Sequence, residues 1–239
     1  MTTHARALNE PAVTSMPASV AVPRYLEETY WWAYIHPRAV KFFERQWLVN
    51  LILWGNFSRL RDAALDELGT SIPGSTLQVA CVYGDLTTRL WGRIGAGGAL
   101  DVVDVLAVQL RNLRRKLPAG APVQLLLRDA AALGIEDGSY DQALLFFLLH
   151  EQPEPVRRRT LAEAVRVVRP GGKIVIMDYH RPRSWNPLAH GFGPLLNRLE
   201  PYALDLWRHD ISEWLPPGAG RLRKETYFGG LYQKLVIER

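Results

Sequence analysis

Several side chains in this sequence have types and spacings that could do chemistry. The run Leu77-Gln78-Val79-Ala80-Cys81-Val82-Tyr83-Gly84-Asp85-Leu86 reads as a β-type segment passing through a turn into a helix. Such a turn holds a nucleotide-type ligand when its residues are small enough for backbone amides at the helix start to approach it. Ala80 and Gly84 keep that smallness while Val82 and Tyr83 do not, so a structural turn and a ligand turn fit equally well. Asp104 closes the next β-type run, where a carboxylate can accept hydrogen bonds from ribose hydroxyls, with Asp101 as the register alternative. Asp129 follows the third run, placed to accept an adenine amino proton. Each Asp alone also suits a helix cap or a turn. Three in order at successive strand-to-helix junctions point to a cofactor. His150-Glu151 and Asp178-Tyr179-His180 then follow the fourth and fifth runs. They are proton-transfer candidates, or plain caps and backbone partners.

Positioning such residues requires alternating elements, and the chain supplies them. From Ser75 onward, β-type runs at Thr76–Val82, Ala99–Val103, Val123–Leu127, Gln142–Phe147 and Lys173–Met177 alternate with helix-like Leu86–Ile94, Leu106–Leu117 and Glu154–Val168. The pattern predicts a doubly wound α/β domain over 74–239, a mostly parallel sheet with helices on both faces. The strand ends then open onto one crevice. Pro187–Trp207 reads as a helical insertion, and Leu222–Tyr227 with Leu231–Glu238 as a terminal hairpin around Gly229-Gly230.

Residues 1–22 read as a disordered tail, and 23–73 as an aromatic, helical lid or membrane-docking region in which Pro37 opens a new helix. There Val40, Phe43, Trp47, Leu51 and Trp54 share one helical face, suited either to a core or to a lipid-like ligand. No apolar stretch reaches the roughly 18 residues of a membrane span. Cys81 is the only cysteine, so an intramolecular disulfide and a Cys-based zinc site are excluded and a reducing, cytoplasmic setting fits best. The net charge of +5 gathers at Arg111/Arg114/Arg115/Lys116, Arg157/Arg158/Arg159 and Arg221/Arg223/Lys224, which are either anionic-partner patches or solvated faces.

The order of junctions, Ser139-Tyr140-Asp141 at the fourth strand and Arg166-Val167-Val168-Arg169-Pro170-Gly171-Gly172-Lys173 before the fifth resemble the class I S-adenosylmethionine-dependent methyltransferases. That resemblance implies a Rossmann-like seven-stranded sheet and S-adenosylmethionine. Phe228-Gly229-Gly230-Leu231 resembles the end of quinone methyltransferases. The sequence departs from the superfamily at Gln78, Ala80 and Val82, where an acidic residue and glycines are usual. A narrower resemblance shares those departures. Tyr30-Trp31-Trp32-Ala33-Tyr34, Phe43–Asn50, Val79–Asp85, His150-Glu151-Gln152-Pro153 and Asp178-Tyr179-His180-Arg181-Pro182 are similar to the rhodoquinone-biosynthesis proteins of the RquA family.

This family implies conversion of ubiquinone to rhodoquinone, with S-adenosylmethionine as amino donor and manganese required. The expected course is attack by the cofactor's amino group, departure of methanol and shedding of the cofactor chain. Under that reading His150, Asp178 and His180 are the expected manganese ligands, and His150, His180 and Tyr83 the catalytic set. Ala80, Val82, Tyr83, Gly84, Asp104 and Asp129 are the expected cofactor contacts. Tyr30 and Tyr34 are expected to stack on the quinone head or close the site, with ordinary aromatic packing as the alternative. The protein is expected at the inner face of the membrane, peripheral to its lipid and without nucleic acid. Competing expectations are a methyltransferase acting on a quinone or small aromatic, and a non-catalytic quinone-binding subunit.

Overall fold

The structure, a computed structural model, describes residues 20–30 and 45–239. Trp31, Trp32, Tyr34, the helix start at Pro37 and nearly all of the N-terminal tail lie outside the described residues. One seven-stranded sheet runs in the order β3-β2-β1-β4-β5-β7-β6. Its strands are β1 (Ser75–Val79), β2 (Ala99–Asp104), β3 (Val123–Leu127), β4 (Tyr140–Phe146), β5 (Val168–Tyr179), β6 (Arg221–Tyr227) and β7 (Tyr232–Glu238). The first five are parallel, and the hairpin β6–β7 adds antiparallel to β5. This is the Rossmann-like sheet of class I methyltransferases. The order reverses between β1 and β4, so the carboxyl ends of those strands flank the crevice where such sheets take ligands.

The described helices include α1 (Arg24–Thr29), α2 (Gln46–Ile52), α3 (Phe57–Leu68), α4 (Leu86–Trp91), α5 (Ala107–Lys116), α6 (Glu154–Val167) and α7 (Leu188–Leu199). Gly55 and Asn56 break the apolar run Trp47–Phe57: Trp54 and Gly55 take positive φ, and the Asn56 amide donates to the Leu53 and Trp54 carbonyls. In α3, Phe57, Leu60, Ala64, Leu65 and Leu68 recur at helical spacing and are buried in the same core as the sheet. This part of the N-terminal region therefore shares the core of the α/β domain. Of the shared face Val40, Phe43, Trp47, Leu51 and Trp54, the first two lie outside the described residues and the other three are exposed, so they do not join this core.

The fifth strand begins earlier than its apolar run suggests. Tyr140 pairs with Val168 and Gln142 with Lys173, so Arg169 through Gly172 stand opposite the single residue Asp141. Asp141 accepts from the Ser75 amide at 2.6 Å and from Arg169 Nε at 2.6 Å. The Pro-Gly-Gly and Tyr-Asp motifs thus tie the amino-terminal edge of the sheet and lie away from the crevice. A Cβ on Gly172 would sit 2.5 Å from the Asp141 carbonyl oxygen and 2.8 Å from that of Arg169, both backbone atoms. Gly172→Ala is expected to cost about 1–3 kcal/mol, as overpacking against rigid neighbours does, readable as a lower denaturation midpoint.

Candidate active site

The carboxyl ends of β1, β2 and β4, together with α1, α2 and a later helix, α7 (Leu188–Leu199), surround a cavity of about 550 Å³. Phe57, Phe146, Phe147, Trp54 and Leu196 give it an apolar wall, into which a few polar groups project.

On the cofactor side, all four expected turn residues are placed, and Ala80, Val82 and Tyr83 line the cavity. Ala80 takes φ 72, a left-handed conformation that favours glycine. It is held there by its N–H to the Val103 carbonyl and by Gln78 Nε2 donating to its own carbonyl. Gln78, where the superfamily usually has an acid, is fully buried and braces the turn. Lys116 donates to the Gly84 carbonyl and Gln109 to the Tyr83 hydroxyl, while Arg61 pairs with Asp85 through both carboxylate oxygens. Side chains from neighbouring helices therefore fix a turn that glycines usually shape.

Asp104 lines the cavity, with one oxygen accepting from Cys81 N–H and the other from Leu106 N–H, each at 2.8 Å. Burial pushes its carboxyl up to about 6, against the pull of those amides. Asp101, the register alternative, accepts from the Tyr140 hydroxyl at 2.7 Å and is not part of the cavity wall. Asp129 is on the wall and accepts from Ala131 N–H.

The opposite end carries titratable groups. At the end of β4, Phe147 adopts φ 51, a strained conformation for a bulky residue. Its N–H bonds to the Met177 carbonyl, and its ring packs edge-on against Tyr179 and Tyr232. That kink swings the next turn, Leu149–Glu151, so that His150 meets the end of β5. His150 Nδ1 lies 2.9 Å from Asp178, whose other oxygen accepts from Leu149 N–H. Because Asp178 is fully buried, this bond sets Nδ1 as donor and leaves Nε2, 3.8 Å from Glu151, for the cavity. Burial alone would lower the His150 pKa. The carboxylates of Asp178, Glu200 and Glu151 outweigh it and raise it to about 9. Tyr179 meets the imidazole edge-on at 5.0 Å.

Glu200, just past α7, was unmarked in the sequence because it lies inside the helical insertion. It lines the cavity, and its Oε2 is sealed from solvent without a hydrogen-bond partner. Burial raises its pKa, opposed by His150 and the Tyr30 phenol and reinforced by Asp178. Tyr25 and Tyr179 are also on the wall. Of the expected substrate contacts, Tyr34 lies outside the described residues. Tyr30 is fully buried behind the wall, packed with Leu26 and Leu106. Leu26 and Tyr30 share one face of α1 at i, i+4, which turns Tyr25 to the cavity in its place.

His180 departs furthest from expectation. The chain leaves β5 at Tyr179, and the His180 ring is tied to the Gly230 carbonyl at 2.8 Å, lining a separate depression. The expected set His150, Asp178 and His180 is therefore not brought together. Among the described residues no three His, Cys, Asp or Glu side chains are grouped as a metal site requires. This donor set does not fit manganese.

Residues 76–172 match the family model described as a methyltransferase domain. The chain is similar to the ubiquinone/menaquinone biosynthesis C-methyltransferase UbiE of Hahella chejuensis, 28% identical over 57% of this chain and 52% of that one. It is also similar to the 2-phytyl-1,4-naphtoquinone methyltransferase of Trichormus variabilis, 32% identical over 47% and 50%. It thus spans about half the length of these curated relatives. An O-methyltransferase family protein from Burkholderia thailandensis shares the fold, with TM-score 0.61 and 17% identity over 80% of this chain and 58% of that one. In this chain the Tyr-Asp and Pro-Gly-Gly motifs tie the sheet, whereas the His150–Asp178–Glu200 group stands at the cavity.

Proposed function

We propose that this chain is an S-adenosylmethionine-dependent enzyme that replaces a ring methoxy group of ubiquinone with an amino group, giving rhodoquinone, with the cofactor as amino donor. The observation that carries this reading is the acid–base set in an apolar cavity: His150, held protonated by Asp178, beside Glu200. Exchange of methoxy for amine needs a base for the attacking ammonium and an acid for the departing oxygen. Glu200 takes the ammonium proton. The freed amine then forms a C–N bond at the methoxy-bearing carbon, pushing an electron pair onto the conjugated carbonyl oxygen. As that pair returns, the C–O bond breaks and His150 protonates the methoxide. The second nitrogen proton restores His150, and the cofactor's carbon chain then leaves the nitrogen as an alkene: Glu200 returns its proton to the nitrogen as the N–C bond breaks, takes the proton lost from the adjacent chain carbon and gives it up to solvent, which frees the amino group of rhodoquinone. Asp104, Asp129 and the turn Ala80–Gly84 would hold the cofactor, and Tyr25 and Tyr179 would flank the quinone ring.

The quinone tail stays in lipid under this reading, so the protein works peripherally at the inner face of the membrane. Leu51, Ile52 and Trp54, exposed and lining the cavity, support that placement. Among the described residues no helix is long and apolar enough to cross a membrane.

The names of the two curated relatives favour a second reading, methyl transfer to a quinone ring in the same cavity. The deciding experiment supplies ubiquinone, manganese and S-adenosylmethionine carrying heavy nitrogen in its amino group and heavy carbon in its methyl group. Mass spectrometry then reads the extracted quinones. Heavy nitrogen in the product is the expected result. Heavy carbon establishes methyl transfer, and neither label, with cofactor bound, leaves a quinone-binding subunit.

A further inference from the structure

The segment after β5, His180-Arg181-Pro182-Arg183-Ser184-Trp185, takes no part in the reaction derived above. Its residues His180 through Ser184 line, with Arg208 and His209, a second depression of about 480 Å³. Arg181, Arg183 and Arg208 are exposed there. Among the described residues Arg181 and Arg183 make no ion pair, and Arg208 reaches Asp205 only at 3.9 Å. The one acid lining the depression, Asp210, is paired with Lys224 and caps the following turn, so it does not neutralise the arginines.

Beside this basic hollow stands an exposed aromatic pair. Trp185, next in the chain to Ser184 of the hollow, is 69% exposed and Phe228 37%, and the Trp185 ring lies 3.0 Å from where a Cβ on Gly229 would be. A row of rings joins the hollow to the large cavity: Trp207 on its wall, Phe192 at 6.4 Å, and Trp54 at 5.6 Å beyond. Trp54, Leu51, Leu195 and Leu199 are exposed at the cavity mouth. The apolar opening, the basic hollow and the exposed indole are thus linked through neighbouring side chains.

We propose that the hollow of Arg181, Arg183 and Arg208 binds the headgroup of an anionic phospholipid and docks the protein with its cavity mouth against the bilayer. Guanidinium forks match phosphate oxygens, and an indole beside them seats at the headgroup level of a membrane, which a site for a soluble anion does not need. The orientation rests on the reading that a lipid-borne quinone enters the large cavity.

The test is sedimentation of the full chain with vesicles of phosphatidylcholine alone or with phosphatidylglycerol added. Arg181→Gln/Arg183→Gln/Arg208→Gln should weaken binding to the anionic vesicles roughly a hundredfold, about fivefold per charge, and leave the weak binding to neutral vesicles as it is. Trp185→Ala should weaken both. Thermal unfolding of the triple variant should match the parent, as expected for exposed positions. Equal binding of the triple variant and the parent to anionic vesicles overturns the proposal. So does inorganic phosphate displacing the vesicles at millimolar concentration, which would mark a soluble-anion site. A water-soluble short-tailed quinone separates the two readings. Turnover of it should be the same in the triple variant and the parent while turnover of vesicle-borne quinone falls. Docking that is lost in a chain that turns over neither quinone overturns the function and leaves the lipid site standing.

Discussion

Replacing His150 with Asn will lower turnover by about 10²–10⁴-fold, the contribution of a positioned general acid, and leave the chain folded. The Asn amide can keep the donor that His150 Nδ1 offers Asp178 at 2.9 Å, so the buried carboxylate stays partnered while the nitrogen facing the cavity is deleted. Steady-state kinetics beside a circular dichroism melt separates the two effects. A variant with parental turnover would remove His150 from the mechanism. The pH profile adds an independent readout. With its pKa raised to about 9, His150 acts as an acid below that pH, so activity should fall as pH rises through about 9. Asp178→Asn removes the charge that raises it and should move this limb toward acid.

The same shift carries a stability term. The pKa is raised above the unfolded value of 6.5. The folded state therefore holds the proton more tightly, and the stabilisation, on the order of 3 kcal/mol, is fully present below pH 6.5 and lost as pH climbs to about 9. Denaturant midpoints across that window should decline in the parent and stay flatter in His150→Asn.

Arg157→Ala is expected to be the most destabilising single change considered, about 3–5 kcal/mol. Arg157 is fully buried. Its Nε donates to the Leu149 carbonyl at 2.9 Å, its Nη2 to Gln152 at 2.8 Å and Tyr202 at 3.1 Å, and the guanidinium stacks over Trp214 at 4.2 Å. Truncation strands three carbonyls, each costing about 1–3 kcal/mol when left unpaired. Two of them bracket His150, so activity should fall along with stability. Lys should not rescue it, because a single ammonium cannot span three carbonyls in the plane the guanidinium fork supplies. Calorimetry should show a transition lower by about 10 °C for a chain of this size, and a parental transition would show that the contacts are dispensable.

Arg157 also marks where sequence reading fails. In Arg157-Arg158-Arg159 it looked like part of a charged surface run, yet helix α6 (Glu154–Val167) turns its neighbours outward and Arg157 into the core. Charge type says nothing about facing, which the 3.6-residue repeat and the elements packed alongside determine. Glu200 and Tyr25 were illegible for a related reason, since a lone polar residue in an aromatic or helical stretch carries no local signal of what it will face. Asp104 and Asp129, by contrast, were legible, because their positions at strand ends follow directly from the β–α alternation.

The sequence by itself determined the doubly wound sheet, its strand ends and the terminal hairpin, since the alternation of apolar runs, helical repeats and glycine turns is a local property that survives tertiary packing. It also determined that His150 and Asp178 stand at neighbouring strand ends. Only the tertiary structure decided that Asp178 bonds His150 while His180 turns away. That choice depends on the kink at Phe147 and on the Gly230 carbonyl supplied from the β6–β7 turn, a partner far along the chain that no local pattern encodes. For the same reason Tyr30 packs inward and Tyr25 reaches the cavity: burial is settled by which surfaces meet.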